Sequence, residues 1–280
     1  MSEKNLPKKY REYFYEIIFI VFTAVAMIPV YYLLITTFKT PQEATNAPLA
    51  LPKIWRFDGY AKAWRGMNYP NAFKNSFIIT FCSLGGTLLT ASMAAFTLAR
   101  KRNKLNTVLF YVLLAGLMIP FQMSILAQYR LVQSLGLMNN ILSVIFINIA
   151  VNLPMSVFFI RNFIIASVPV QIEEAAVIDG CSVLRTFMFI TLPLLRPVIA
   201  TLAIMNSIGI WNDFLTPLMF LQSQSSRTIL LEVNANVGRF NTNWTDMFPM
   251  MVLGVLPLVL FFLIMQRHII KGISTGAVKG

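Results

Sequence analysis

The chain has 280 residues, a net charge of +12 from 23 Lys and Arg against 11 Asp and Glu, and a mean hydropathy of +0.67. Only 12% of the residues are charged and 57% are hydrophobic, which is about half the charge that keeps an ordinary soluble domain in water. A soluble enzyme and a disordered tail are excluded on that ground, and two cysteines exclude a disulfide scaffold. A polytopic membrane protein remains. The basic residues cluster between apolar runs, a pattern of membrane topology rather than of nucleic-acid binding.

A helix needs about 20 mainly apolar residues to cross the bilayer core, because each residue rises only about 1.5 Å. Six stretches approach or exceed that length: Ile17–Phe38, Asn75–Ala99, Leu105–Gln128, Asn140–Ile160, Pro197–Leu221 and Phe248–Met265. A β-barrel would show short alternating segments instead, so the expected fold is all-α with six transmembrane helices in a single domain over 1–280. Lys8, Lys9 and Arg11 precede the first stretch, and Ala24-Val25-Ala26 resembles a cleavage site. The apolar run continues to Phe38, beyond a signal-peptide core, so this helix is expected to stay in place.

Orientation follows the short basic segments. Lys4, Lys8, Lys9 and Arg11 precede the first helix, and Arg100, Lys101, Arg102 and Lys104 crowd the turn between the second and third. Both termini are therefore expected in the cytoplasm. The loop Lys39–Lys74 then lies outside despite its six basic residues, because longer loops weigh less. Gln222–Met247 forms a second outer connection, and residues 161–196 form the large inner one.

That inner loop carries the most informative sequence, VPVQIEEAAVIDGCSVLRTFMFITLPLLRP over 168–197. Pro169 suits a first helical turn, Glu173 and Glu174 place negative charge near its positive end, and Gly180 supplies a stop. A short helix over Val170–Asp179 follows, with Ile172, Ala175, Ala176 and Asp179 on one face. A second apolar segment through Leu184, Phe187 and Met188 ends before Pro193.

Glu174-Ala175-Ala176, three residues, Gly180, nine residues, Ile190, one residue and Leu192-Pro193 resemble the EAA loop of importer-type ABC transporter permeases. Further likeness to the smaller subunit of maltose-type sugar permeases lies in Ile119-Pro120-Phe121, Tyr129, Leu135-Gly136-Leu137, Trp211-Asn212-Asp213-Phe214 and the tail Gly276-Ala277-Val278-Lys279-Gly280. The resemblance implies a permease subunit of a binding-protein-dependent importer in the bacterial cell membrane. It implies as partners a second homologous permease, two cytoplasmic ATPases that bind ATP and Mg, an extracytoplasmic sugar-binding protein and the surrounding lipid. Glu173, Glu174, Ala175, Ala176, Asp179, Gly180, Ile190, Leu192 and Pro193 are the implied ATPase-coupling residues. Gly276, Lys279 and Gly280 are the implied tail contacts with the ATPases. No G-x-x-x-x-G-K-[ST] phosphate loop occurs in the chain, so a cofactor within it is not expected.

Material for catalysis is thin, and neither a catalytic nor a metal site is expected. The sole histidine, His268, stands beside Arg267 in a basic end, and Cys82 and Cys181 fall in different regions. Asp213 is the ionisable residue inside an apolar run, and such residues face a cavity or a partner. Gln122, Asn148, Asn152, Asn206 and Asp213 are candidate pathway residues, each of which either lines the route or bonds a neighbouring helix. In the second span Gly86, Thr90 and Ala94, with Ala91, Ala95 and Ala99, set small-residue rows for close packing. The rival from another class is a gradient-driven transporter or channel, which needs intramembrane carboxylates or an internal repeat. The glycine-rich tail from Gly272 is expected not to form a stable helix.

Overall fold

A computed structural model describes residues 8–101, 103–237 and 243–277. Fourteen α-helices are present among them: α1 (Lys8–Thr36), α2 (Pro41–Asn46), α3 (Asp58–Gly66), α4 (Tyr69–Arg100), α5 (Lys104–Ala115), α6 (Phe121–Ser134), α7 (Ile141–Ser167), α8 (Val170–Ile178), α9 (Val183–Thr186), α10 (Leu192–Leu194), α11 (Arg196–Trp211), α12 (Leu215–Phe220), α13 (Ile229–Val237) and α14 (Trp244–Ala277). The chain divides into two compact units, 1–67 with 233–254 and 68–232 with 255–280.

In the first unit α1 is apolar on every side after Glu16, and no side chain from Glu12 to Leu34 is buried, the pattern of a helix whose solvent is lipid or another protein. The segment after it is tied down by polar bonds. Thr40 and Glu43 form a reciprocal capping box at the start of α2. Lys39 is buried and donates from Nζ to the carbonyls of Ala47 and Pro48 at 2.9 and 2.8 Å; burial pushes its ammonium below the ordinary lysine range, and Glu43 partly offsets this. Asp58 pairs with Arg56 at 2.7 Å, and Lys62 reaches both Asp58 and Asp246 at 3.6 Å. Two of the six basic residues of this loop, Arg56 and Lys62, thus pair with neighbouring carboxylates, and the hydrogen bond from Arg56 holds the Asp58 carboxyl below its usual range.

In the second unit α4 and α7 pack along their lengths and α11 lies against both. The small-residue rows explain the close approach. Ala91, Ala95 and Ala99 are buried against Val157, Ile160 and Ile164, and a Cβ at Gly86 would stand 2.5 Å from Ile149 Cδ1. Thr90 is exposed and returns its hydroxyl to the Gly86 carbonyl at 2.6 Å. A second cluster gathers Ile79, Val144, Ile145, Ile210, Phe220 and Leu231.

Four helical stretches are long and apolar enough to cross a membrane: Glu12–Thr36, Tyr69–Arg100, Ile141–Ser167 and Trp244–Ile264. Two others are broken pairs, Lys104–Met118 with Phe121–Ser134 bent by 104° and Val183–Leu194 with Arg196–Trp211 bent by 74°; counting each pair as one span gives six. The run expected over Leu105–Gln128 is therefore two helices. Gly116–Met118 tightens into a 3-10 turn, Ile119 is extended, and Pro120 cannot continue the ladder. The run expected over Pro197–Leu221 also stops early, at Trp211, where Asn212 ends α11 and α12 starts afresh at Leu215.

The tail departs from expectation as well, because α14 continues through Gly272 and Gly276 to Ala277. An existing helix only has to propagate, so each glycine costs about 1 kcal/mol rather than a new nucleus. Lys279 and Gly280 lie outside the described residues.

Candidate functional site

The loop over 168–197 builds its geometry from strong local signals. Val168 is the C-cap of α7 and Pro169 the N-cap of α8, one position earlier than the sequence suggests. At the other end the helix closes in a Schellman turn: Cys181 N–H donates to the Ala176 carbonyl at 2.9 Å and Gly180 N–H to that of Val177 at 3.0 Å. Gly180 has φ +83°, where a side chain is strained, while the space around its Cα is open. The glycine is demanded by the turn, not by a close neighbour.

Two side chains of α8 are buried, Glu173 and Ala176. Ile172, Glu174, Ala175, Ile178 and Asp179 face outward, with Ile178 85% exposed. The sequence places Ala176 on the outer small face, and the structure turns it inward at 5% exposure, because residues i and i+3 share a face and Glu173 is the inward anchor. An open groove of about 830 Å³ borders the helix, lined by Phe96, Thr97, Lys101, Val170, Val177 and Val183 among others.

Glu173 is held by Arg100, the last residue of α4. Arg100 Nε donates to Glu173 Oε2 at 2.7 Å, Nη2 donates to Oε1 at 2.9 Å, and Nη2 also donates to the Val168 carbonyl at 2.8 Å. Thr191 Oγ1 donates to Glu173 Oε1 at 3.0 Å. The sequence identifies Glu173 and reads Arg100 only as topological charge; Thr191 carries no sequence signal. A cation in the last turn of one helix and an anion in the first turn of another is the one readable hint.

Beyond α8, Ser182 caps α9, and Phe187–Thr191 widens into a π-turn in which Leu192 N–H reaches the Phe187 carbonyl. Pro193, lacking an N–H, follows that widening and stands exposed, while Ile190 and Leu192 are half-buried and Leu192 packs on the α4–α7 core. The motif residues thus separate into an outward helix face and a set of inward anchors.

The candidate pathway residues do not form one constellation. Asn148 is buried and donates from Nδ2 to Asp213 Oδ2 at 3.1 Å, and Asn152 donates to the Asn148 carbonyl at 2.8 Å. Asp213 Oδ1 accepts the Thr216 N–H at 3.1 Å, so this carboxylate opens α12 and ties it to α7. Asn206 goes elsewhere, donating to Ser156 Oγ at 3.1 Å, and Gln122 is exposed on α6. Sequence reading misses the polar stitches around the α12–α13 connection. Asn139, at φ +60°, accepts from Gln222 and Ser223 N–H, Asn75 donates to the carbonyls of Ser225 and Arg227, and Ser76 accepts the Ile229 N–H. Among the described residues no group of three metal-ligating side chains occurs.

Among the described residues the fold is all-helical, with several helices apolar enough to cross a membrane and a short capped helix between the α7 span and the broken pair that ends in α11. Residues 86–275 match the family described as binding-protein-dependent transport system inner membrane component, and the chain belongs to it. It is 35% identical over 253 residues, 90% of this chain and 91% of the other, to the melibiose/raffinose/stachyose import permease protein MelC of Bacillus subtilis (strain 168). It is 32% identical to the diacetylchitobiose uptake system permease protein NgcG of Streptomyces coelicolor, covering 93% of this chain and 86% of the other. A solved structure, a bacterial ABC transporter involved in the import of the acidic polysaccharide alginate, has a similar fold, with a TM-score of 0.82, 17% identity, and coverage of 95% of this chain and 99% of that one.

Proposed function

We propose that this chain is the permease subunit of an ATP-driven, binding-protein-dependent importer of an oligosaccharide, and that it forms half of the translocation pathway by alternating access. The observation that carries this reading is α8, a short capped helix whose outer stripe of Ile172, Ala175, Ile178 and Asp179 is uncovered while its inner side is clasped to the ends of the long spans. A helix so mounted can pass motion from a partner to the membrane helices. Names of relatives across the family point to oligosaccharides. Two ATPases that bind ATP and Mg, a second permease and an external sugar-binding protein complete the assembly, leaving this subunit non-catalytic. The six spans, both termini in the cytoplasm and the tail from Gly276 reaching toward the ATPases belong to the same reading.

The test is Ala175→Glu, which places a bulky charge on the exposed face without touching the inward anchors. ATPase subunits should be lost from the purified complex while the variant still inserts and pairs with the second permease. Wild-type retention of the ATPases, with wild-type transport, would overturn the assignment of α8.

A further inference from the structure

We propose that the Arg100–Glu173 pair is the joint through which movement of α8 reaches the membrane spans, so that Glu173 is a positioning residue and not an ATPase contact. The inference rests on the reading of α8 as the coupling helix.

Of the nine residues of α8, Glu173 and Ala176 are the buried ones. Apolar packing therefore gives this helix little grip on the rest of its unit, and beyond the chain connections at its two ends the ion pair is the side-chain link that ties α8 to α4. The pair is well placed to carry a force applied to the outer face. One guanidinium joins the C-terminal residue of α4, the carbonyl that ends α7 and the first turn of α8, and the same carboxylate accepts Thr191 at the end of the π-turn that leads to α11. Two parallel N–H donors fix the angle between the planar groups, which a single contact would leave free. Arg100 complements the negative end of α4, and Glu173 the positive end of α8. The side chains are 16% and 9% exposed, so the pair is shielded from screening. Burial alone is weak evidence for a stabilising purpose; the convergence of four elements on one pair is evidence for a mechanical one. The adjacent Glu174 points outward, so two neighbouring carboxylates divide the work: one faces the partner and one faces the spans.

The test uses the whole importer, with its ATPases and second permease, in lipid nanodiscs. Cys82 and Cys181 are replaced by serine, and spin labels are placed at Val177, an exposed residue of α8 outside the outer stripe, and at exposed Met93 on α4. Distances are measured without nucleotide and after trapping with ATP and vanadate. The proposal expects a sharp distance in the parent complex that changes between the two states by less than the about 1–2 Å of an interfacial helix shift. Glu173→Gln, Arg100→Gln and the charge-preserving Arg100→Lys should broaden and shift it while the ATPases remain bound and still trap vanadate. A parent distance that moves by more than that, or a Glu173→Gln distribution as sharp as the parent's, overturns the proposal. Loss of the ATPases from Glu173→Gln also overturns it, by making Glu173 part of the docking surface. Failure of the parent complex to hold ATPases would instead sink the coupling-helix reading itself. Where Glu173→Gln does not insert, Arg100→Lys takes its place; it keeps the charge but loses the two parallel donors, and an unbroadened distance in it contradicts the joint.

Discussion

At the residue scale, position matters more than chemical type. Ala175 and Ala176 are alike in sequence, yet one faces out and the other is buried. Ala176→Glu would therefore disrupt the seat of α8 and reduce the amount of folded permease, whereas Ala175→Glu should leave yield unchanged. Comparing membrane-inserted yields of the two variants checks this. Gly180→Ala places a methyl group at φ +83° in open space, so the expected loss is the left-handed backbone cost of about 1 kcal/mol and nothing from packing. A small drop in thermal midpoint, larger for Val than for Ala, is the expected result. Asp213→Asn keeps one acceptor, for Thr216 N–H or for Asn148 Nδ2 but not both, whereas Asp213→Ala loses both, so the Asn variant should lose less stability than the Ala variant, at about 1 kcal/mol per bond. Equal damage from both would instead mean that the negative charge itself is required.

At the scale of elements, what was legible in the sequence is what local physics decides. Proline before α8, acid in its first turn and glycine after it act within one segment, so this helix is readable to within a residue. The small-residue rows of α4 are likewise readable as a close-packing face, with Ala91, Ala95 and Ala99 buried. The breaks were not read, because a count of apolar residues passes over Pro120 and Asn212 without registering that the hydrogen-bond ladder stops there. The tail differs in the opposite direction, since glycine propensity alone ignores the long apolar helix that precedes Gly272 and only has to propagate. The Arg100–Glu173 clasp spans 73 positions, and no periodicity links residues that far apart. Topology at this scale is testable by impermeant thiol labelling in intact cells. A cysteine at Ser225 should react from outside and one at Asn103 should not; outside labelling at Asn103 reverses the orientation.

For the whole molecule, the two polar regions differ in what they are built to do. The loop after α1 ties part of its charge internally, through Arg56, Asp58, Lys62 and Asp246. The loop over 168–197 keeps α8's outer face free and anchors its inner face. Such a division suits a subunit that takes mechanical work from a partner and does no chemistry itself. The most direct measurement is uptake of labelled oligosaccharide by proteoliposomes that contain the complete complex and its binding protein, with ATP enclosed on the ATPase side. Accumulation should persist with a protonophore and sodium-free buffer and stop when a non-hydrolysable ATP analogue replaces ATP. Uptake that collapses with the ion gradient and ignores ATP hydrolysis would contradict the account and favour a gradient-driven transporter.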